Sequence, residues 1–327
     1  MEGIVVRLRA AGCVFAEEEA RLLLGWASSP VELDAGVAKR VAGYPLEYIL
    51  GWAEFAGLRI ALDAGVFVPR RRTELLVKEA VRVLSARRLP EAGEGLSPGR
   101  GTGQPQSAGA AGAAGAAGAG SGDASVAPYG ATGRRGPAGA ASVYEPGEGA
   151  QSGAGVVVVD LCCGSGAAGA AIVSRVPGLE LHAADIDPVA VRCARRNVDL
   201  PGGWVHQGDL YGALPAGLRR RVSVVIANAP YVPTAEIATM PREARDYEPR
   251  LSLDGGPDGL DLQRRVAAGA SDWLAPGGHL LIETSRLQAE HTAAIMAAEG
   301  FEVRTVRSDE LEGTVVVGRA SGRRPRV

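Results

Sequence analysis

The feature that most constrains the fold is a run of valines that leads into an acidic residue and a glycine-rich turn. The sequence GVVVVDLCCGSGAAGAAIV begins at Gly155, and its valines form a continuous β-branched stretch. Such a run is typical of a parallel strand that is buried on both faces. The turn ends in Gly164, Ser165 and Gly166, and a helix is predicted directly after it. This pattern predicts the first strand and helix of a doubly wound α/β sheet.

Strands and helices alternate through the rest of the chain. Further strands are predicted at 180–184, 204–206, 222–227 and 279–283, with helices at 167–175, 188–197, 260–273 and 287–299. Two last strands, at 303–306 and 314–318, are predicted to form an antiparallel pair. We therefore expect a seven-stranded Rossmann-like domain, in which ligands bind at the carboxyl ends of the strands.

The chain divides into four regions by composition. Residues 1–86 are predicted to form a small helical domain with helices at 17–26 and 31–42, a hairpin at 54–64 and a connecting helix at 73–86. The apolar stripe of the connecting helix consists of Leu75, Leu76, Val83 and Leu84. Residues 155–320 are predicted to form the α/β domain. Between them, residues 87–154 predict a disordered insertion, because a stretch such as SAGAAGAAGAAGAGSG (107–122) offers too little side-chain volume to offset its ordering entropy. Residues 321–327 are a tail.

Charge and apolar content exclude several classes of protein. The net charge of −2 lacks the basic surplus of an electrostatic nucleic-acid binder, so we expect contact with nucleic acid only indirectly. No apolar run approaches the roughly 18 residues that span a bilayer, and the first residues lack the charged-then-apolar layout of a secretion signal, so we expect none. Four cysteines make no disulfide framework. We expect a soluble, cytoplasmic monomer that does not contact the membrane.

Acidic residues follow three consecutive predicted strands. Asp160 precedes the glycine-rich turn, Asp185 ends the second strand, and Asp209 with Leu210 follows the third. A carboxylate at Asp185 can accept hydrogen bonds from both ribose hydroxyls of a bound nucleoside. Asp160 would repel a pyrophosphate and suits the ammonium of a methionine moiety instead. These residues predict a site for a nucleoside that carries an amino acid.

The fourth strand ends in Asn228, Ala229, Pro230 and Tyr231, and here the chain resembles a known family. It is similar to the protein-(glutamine-N5) methyltransferases of the HemK/PrmC type, which pair a D-x-G-x-G-x-G turn with N-P-P-Y. The segments Tyr247–Asp261 and Pro45–Val77 resemble the same family. The resemblance implies S-adenosyl-L-methionine (AdoMet) as cofactor, bound by Asp160, Cys162, Cys163, Gly164, Ser165, Gly166, Asp185, Asp209, Leu210 and Asn228. It implies as substrate the Gly-Gly-Gln glutamine of peptide chain release factors.

Two residues depart from the family pattern. Cys162 occupies the position of the first glycine of the turn, which we interpret as a backbone position that does not need a positive φ. Ala229 replaces the first proline of N-P-P-Y but keeps the backbone carbonyl. No His or Cys lies at ligand spacing from Cys162 and Cys163, so we expect no metal there.

The Asn motif has a physical explanation. A glutamine nitrogen is a poor nucleophile, because its lone pair is delocalised into the carbonyl. The Asn228 side-chain oxygen and the Ala229 backbone oxygen could hold both amide N–H groups and orient the nitrogen for in-line attack. Tyr231 would pack on the planar amide, or would be a core tyrosine.

The remaining polar residues receive simpler interpretations. Glu283 and Gln288 fit the end of the fifth strand in the family that the chain resembles, but are interpreted as caps of the following helix. Arg70–Arg72 could meet an acidic partner, but are interpreted as a solvated face. The four histidines, at positions 182, 206, 279 and 291, are expected to form no cluster.

Two alternatives to glutamine methylation stay open. An adenine-N6 nucleic-acid methyltransferase could use the same Asn-x-Pro-Tyr geometry, although the chain lacks a basic surplus. The altered turn and Ala229 also allow a non-catalytic, AdoMet-binding paralogue.

Overall fold

The computed structural model describes residues 1–88, 155–199 and 202–321 of the 327-residue chain. The predicted insertion at 87–154 and the tail at 321–327 lie outside these residues, apart from residues 87, 88 and 321. The boundaries of these two regions therefore stay predictions.

Four helices form the N-terminal region: α1 (Glu2–Ala10), α2 (Ala16–Trp26), α3 (Pro30–Val41) and α4 (Leu46–Leu50). Their shared core includes Leu8, Leu23, Val37 and Ile49. Helix α3 begins with proline, and its first turn is capped by the Ser29 hydroxyl, which accepts a hydrogen bond from a backbone N–H at 3.2 Å. Helix α1 was not predicted, because it buries a single side chain and so shows no apolar stripe.

A hairpin and a long helix connect this region to the sheet. Strands β1 (Trp52–Phe55) and β2 (Leu58–Ala61) pair in antiparallel fashion, so the hairpin begins two residues before the predicted 54–64. A 3-10 turn at Arg71–Thr73 then leads into α5 (Glu74–Arg88). Helix α5 buries Leu76, Ala80 and Leu84 against the sheet, as its predicted apolar stripe requires.

The remaining strands form one sheet in the order β5-β4-β3-β6-β7-β9-β8. They are β3 (Val157–Leu161), β4 (Glu180–Asp185), β5 (Gly203–Gln207), β6 (Val222–Ala227), β7 (Leu274–Glu283), β8 (Phe301–Ser308) and β9 (Gly313–Ala320). The first five are parallel, and β9 pairs with both β7 and β8 in antiparallel fashion. The predicted seven-stranded sheet is confirmed.

Helices cover both faces of this sheet. They are α6 (Ala167–Arg175), α7 (Pro188–Asn197), α8 (Arg242–Tyr247), α9 (Asp261–Trp273) and α10 (Ala289–Ala298). Helices α5 and α6 pack with the face that carries Val158, whereas α9 and α10 pack with the face that carries Val157 and Val159. The valine run is therefore buried on both sides, as predicted. None of the described helices combines the length and apolar character that a bilayer crossing requires.

The sheet register aligns the strand ends that precede the predicted site. Leu161 at the end of β3 lies opposite Ala184 on β4 and Ala227 on β6. The residues that follow these positions therefore emerge at one edge of the sheet. This alignment brings the glycine-rich turn, Asp185 and Asn228 together, although they are far apart in sequence.

Candidate active site

A cavity of about 560 Å³ opens at the carboxyl ends of the parallel strands. All but one of the predicted site residues line it: Asp160, Cys162, Cys163, Gly164, Ser165, Asp185, Asp209, Leu210, Asn228, Ala229, Pro230 and Tyr231. The exception is Gly166, which is the N-terminal cap of α6 and has φ +75°. A Cβ at Gly166 would lie 2.8 Å from the Val198 side chain, so this glycine permits close packing between α6 and the end of α7.

Asp160 is a buried carboxylate without a cationic partner among the described residues. Its Oδ2 accepts a hydrogen bond from the Gly169 backbone N–H at 2.9 Å. Burial, with a smaller contribution from the neighbouring Asp185 charge, raises the pKa of Asp160 to about 7 against the lowering effect of the Gly169 hydrogen bond. A ligand ammonium beside this carboxylate would compensate its buried charge.

The turn after β3 contains a non-glycine residue in the left-handed region. Cys162 has φ +55°, and Gly164 has φ +54°. Our interpretation that Cys162 marks a position without a positive φ is wrong: the backbone keeps the conformation that a glycine would favour, and a cysteine adopts it. The turn is held by a hydrogen bond from the Cys163 N–H to the Ala184 carbonyl at 3.1 Å.

Both thiols of the turn are poor nucleophiles. Burial raises the pKa of Cys162 and of Cys163, and nearby carboxylates, with Asp185 foremost for Cys162 and Asp160 for Cys163, raise them further. Among the described residues, no group of three or more His, Cys, Asp or Glu side chains is placed to hold a metal ion.

Asp185 connects the first two strand ends. Its Oδ2 accepts a hydrogen bond from the Gly164 N–H, and its Oδ1 accepts one from the Asp187 N–H, each at 2.9 Å. Burial raises the pKa of Asp185. Because each carboxylate oxygen has two lone pairs, Asp185 can accept further hydrogen bonds from a ligand while it holds the turn.

The third strand end is more exposed. Asp209 is about half exposed, and Arg265 of α9 donates to its Oδ2 at 2.6 Å. The next residue, Leu210, is 9% exposed and has φ +48°, which turns the chain into a 3-10 helix (Leu210–Ala213). Arg265 also lines the cavity and was not predicted, because only the fold brings α9 to this edge of the sheet.

The side chain of Asn228 is held by a residue of the N-terminal region. Its Nδ2 donates a hydrogen bond to the Thr73 Oγ1 at 3.2 Å. The next residue, Ala229, is 1% exposed. Thr73 lies within the Pro45–Val77 segment that resembles the family, and this segment was the available signal for its role.

The loop that begins at Asn228 is anchored after its proline. Gln288 Nε2 donates to the Tyr231 carbonyl at 2.9 Å, and the Val232 N–H donates to the Leu253 carbonyl at 3.0 Å. Gly255 lies so close that a Cβ there would be 2.7 Å from the Pro230 carbonyl oxygen. Gln288 occupies the N-cap position of α10, as predicted, but its side chain makes no capping hydrogen bond and instead holds the loop after β6.

Glu283 does not cap the following helix. It is 1% exposed, and the Thr73 hydroxyl faces its carboxylate and lowers its pKa as a donor. Burial raises the pKa of Glu283 to about 7, against the lowering effects of that hydroxyl and of the Arg72 charge. The sequence correctly placed Glu283 at the end of a strand, but its predicted role as a helix cap is wrong.

The arginines at 70–72 are only partly a solvated face. Arg70 forms an ion pair with Glu248, whose side chain is 1% exposed, and Glu248 also accepts a hydrogen bond from the Val68 N–H at 3.3 Å. Arg72 donates to the Tyr231 hydroxyl at 3.5 Å. Arg71 and Arg72 are both exposed, and Arg71 lies 3.8 Å from Glu310. Tyr231 itself is half-buried and lines the cavity, so it is not purely a core residue.

Two histidines lie together elsewhere in the sheet, contrary to prediction. His182 Nδ1 is 2.8 Å from His206 Nε2, and His182 Nε2 is 2.9 Å from Glu180. Burial lowers the pKa of both rings. Sequence periodicity does not reveal this pair, because the two histidines lie on different strands, β4 and β5. Neither ring lines the active-site cavity.

The chain is similar to known methyltransferases. Residues 150–244 match the family described as "Methyltransferase small domain". A crystal structure of a release factor-specific protein-(glutamine-N5) methyltransferase from Alicyclobacillus acidocaldarius is 20% identical, covers 78% of this chain and 94% of that chain, and has a TM-score of 0.37.

Two relatives cover most of the chain. The 4-amino-L-phenylalanine/4-methylamino-L-phenylalanine methyltransferase of Streptomyces pristinaespiralis is 29% identical, with 81% of this chain and 69% of that protein covered. The release factor glutamine methyltransferase of Streptomyces coelicolor is 30% identical, with 80% of this chain and 70% of that protein covered. On this similarity the chain belongs to the release factor glutamine methyltransferase family.

Proposed function

We propose that this protein transfers the methyl group of AdoMet to the side-chain nitrogen of the Gly-Gly-Gln glutamine in a peptide chain release factor. The observation that carries the proposal is the placement of Asn228 beside the acidic strand ends, with its Nδ2 engaged by Thr73 and its Oδ1 left to accept. The enzyme class and the cofactor follow from the family.

The cavity suits AdoMet through its acidic residues. Asp160 would bind the ammonium of the methionine moiety, since it is buried and lacks a cation among the described side chains. Asp185 would accept the ribose hydroxyls, while Asp209 and Leu210 would border the nucleoside at the third strand end. The bound cofactor supplies a methyl group on a sulfonium, which is an electrophile.

The protein contributes mainly orientation. The Asn228 Oδ1 and the Ala229 carbonyl would each accept one N–H of the substrate amide, which fixes the plane of the amide and the direction of its nitrogen lone pair. As the new N–C bond forms and the S–C bond breaks, the nitrogen becomes strongly acidic, so it loses a proton to water without a dedicated base. Tyr231 would pack against the flat face of the amide.

We also propose where the enzyme acts, its oligomeric state and its relation to nucleic acid. Release factors act in the cytoplasm, which is where we place the enzyme. We propose that it works as a monomer, because the N-terminal region and the α/β region of one chain together line the cavity. Nucleic acid would be present only indirectly, through the release factor's own surroundings.

The test is methyl transfer from tritium-labelled AdoMet to separate acceptors. We expect label on a purified release factor, and none on a release factor in which the Gly-Gly-Gln glutamine is alanine. DNA tests the adenine-N6 alternative. 4-Amino-L-phenylalanine tests a small-molecule activity like that in the name of the Streptomyces pristinaespiralis relative. Label on either in place of the release factor would overturn the proposal, and label on no acceptor would favour the non-catalytic paralogue.

A further inference from the structure

The orientation of the Asn228 side chain decides whether it can hold a substrate amide. The two ends of an asparagine amide have nearly the same shape, but one end accepts hydrogen bonds and the other donates them. With the oxygen toward the substrate, Asn228 accepts an N–H. With the nitrogen there, two donors would face each other. The fold must therefore favour one of two orientations that differ by a half-turn.

A buried row of polar groups distinguishes the two orientations. Asn228 Nδ2 donates to the Thr73 Oγ1 at 3.2 Å, and the Thr73 hydroxyl also faces the Glu283 carboxylate, whose pKa it lowers as a donor. Thr73 is 5% exposed and Glu283 is 1% exposed. An ionised carboxylate can only accept hydrogen bonds, so the Thr73 hydroxyl donates its single hydrogen bond to Glu283. The hydroxyl then has only lone pairs to offer, and the nitrogen of Asn228 must face it.

The surroundings of Glu283 allow it to be ionised. The facing groups are Thr73 and Arg72 from the 3-10 turn and Tyr231 from the loop after β6. Arg72 is the cation among them and favours the charged form, whereas burial opposes it and brings the pKa to about 7. Glu283 Oε2 is buried without a hydrogen-bond partner among the described residues, which makes Thr73 the more important donor to this carboxylate.

The 3-10 turn that carries Thr73 is held in place by close packing. A Cβ at Gly313, the first residue of β9, would lie 2.7 Å from the Arg72 carbonyl oxygen and 3.1 Å from the Leu75 Cβ. The turn therefore rests directly on the backbone of β9. Its position relative to β7, which carries Glu283, is set by the pairing of β9 with β7.

We propose that Thr73 and Glu283 are positioning residues that set the direction of the Asn228 amide, so that its oxygen faces the substrate nitrogen. This inference rests on the function proposed above. It assigns the N-terminal region a part in the reaction, because Thr73 lies outside the α/β domain. A protonated Glu283 could donate to Thr73 instead, and the Thr73 hydroxyl could then donate to the Asn228 oxygen, which is the unproductive direction.

The kinetic test compares variants of the full chain at saturating AdoMet. Thr73→Val keeps the shape and removes the hydroxyl that faces Asn228 and Glu283, and we expect kcat to fall about 10- to 100-fold while the Kd for AdoMet stays within about twofold. Thr73→Ser should recover most of this loss. Thr284→Val is the matched control, since its buried hydroxyl bonds to Gln263 and Thr292 rather than to the site, and it should lower stability but not kcat. A Thr73→Val enzyme with the kcat of the wild type would overturn the proposal.

The pH dependence separates positioning from a merely structural role. The ionised form of Glu283 is the productive one, so kcat should be full above about pH 7 and should fall as the pH decreases through that value. Glu283→Gln should remove this step from the profile. A wild-type profile that is flat between about pH 6 and 8, or a step that persists in Glu283→Gln, would contradict the proposal.

A measurement on the protein without substrate distinguishes failure of this inference from failure of the proposed function. In NMR spectra, the side-chain amide of Asn228 should shift with the same midpoint as the Glu283 carboxyl, and this coupling should disappear in Thr73→Val. Absence of coupling overturns the inference even in an active enzyme. Coupling together with no methyl transfer to a release factor overturns the proposed function and leaves the positioning intact.

Discussion

At the residue scale, Cys162 shows that a turn motif can lose a glycine and still keep its backbone conformation. The turn after β3 needs a left-handed residue at this position, and Cys162 has φ +55°. For an L-residue this conformation costs about 1–2 kcal/mol. The strain lies beside the proposed cofactor, where the neighbouring residues Leu161 and Cys163 are buried and fix the chain.

The backbone strain at Cys162 can be measured with a pair of substitutions. Cys162→Ala and Cys162→Gly both remove the thiol, but only the glycine adopts the left-handed region without penalty. After allowance for the greater freedom of glycine in the unfolded chain, Cys162→Gly should be about 0.5–1 kcal/mol more stable than Cys162→Ala in urea unfolding. Equal stabilities would show that the turn relaxes around the side chain.

The second residue-scale prediction concerns the pH dependence of AdoMet binding through Asp160. Its pKa is raised to about 7 by burial, and the ionised form is the one that pairs with an ammonium. Affinity should therefore be highest above about pH 7 and should weaken as the pH falls, approaching tenfold per unit well below the pKa. Calorimetry between about pH 5.5 and 7 measures this slope. Asp160→Asn should bind weakly with no such slope, and an unchanged slope in that variant would assign it to another group.

At the scale of elements, the loop after β6 is fixed from outside. The N-P-P-Y pattern of the family has a second proline where this chain has Ala229, so the backbone has one restraint fewer. The side chain of Gln288 supplies another restraint, because its Nε2 donates to the Tyr231 carbonyl at 2.9 Å and to the Asp258 carbonyl at 3.1 Å. The loop is thus tied to the start of α10 and to the segment before α9.

Because the proline and Gln288 would restrain the same loop, Ala229→Pro should compensate in part for the loss of the Gln288 hydrogen bonds. Gln288→Met keeps the side-chain length and removes both hydrogen bonds, so kcat should fall about tenfold while AdoMet affinity is retained. Ala229→Pro alone should leave kcat equal or slightly higher, because only the backbone oxygen is used. The double variant should recover part of the loss, which methyl-transfer assays at saturating AdoMet would show. If Ala229→Pro abolished activity, the alanine would instead be required for a different substrate.

At the scale of the whole molecule, local patterns predicted the elements but not the contacts between them. The valine run, the acidic strand ends and Asn228 were found from sequence because each is a property of one strand and its turn. The Thr73–Asn228 bond joins residues 155 positions apart, and no period or spacing reveals such a contact. For the same reason Glu283 was interpreted as a cap. The residue that gives it another role, Thr73, comes from a different region of the chain.

The N-terminal region and the α/β region are also joined by one buried cation. Arg40 of α3 is 7% exposed, forms two hydrogen bonds with Glu19 at 2.7 and 3.0 Å, and donates to Glu243 of α8 at 2.6 Å. Glu243 lines the active-site cavity. The ion pair therefore connects the N-terminal helical core to the cavity wall.

Removing this cation should destabilise the whole protein. Arg40→Met leaves Glu19 buried without its partner, so the free energy of unfolding should fall by about 3–5 kcal/mol. Replacing both partners, as in Arg40→Met with Glu19→Leu, should restore much of the loss, because no charge is then left uncompensated. Arg7→Met is the matched control: Arg7 pairs with Asp34 at 2.6 Å, but both side chains are largely exposed, so the cost should stay below about 1 kcal/mol. Denaturant unfolding measures all three, and an Arg40→Met protein no less stable than Arg7→Met would mean that the buried pair does not hold the two regions together.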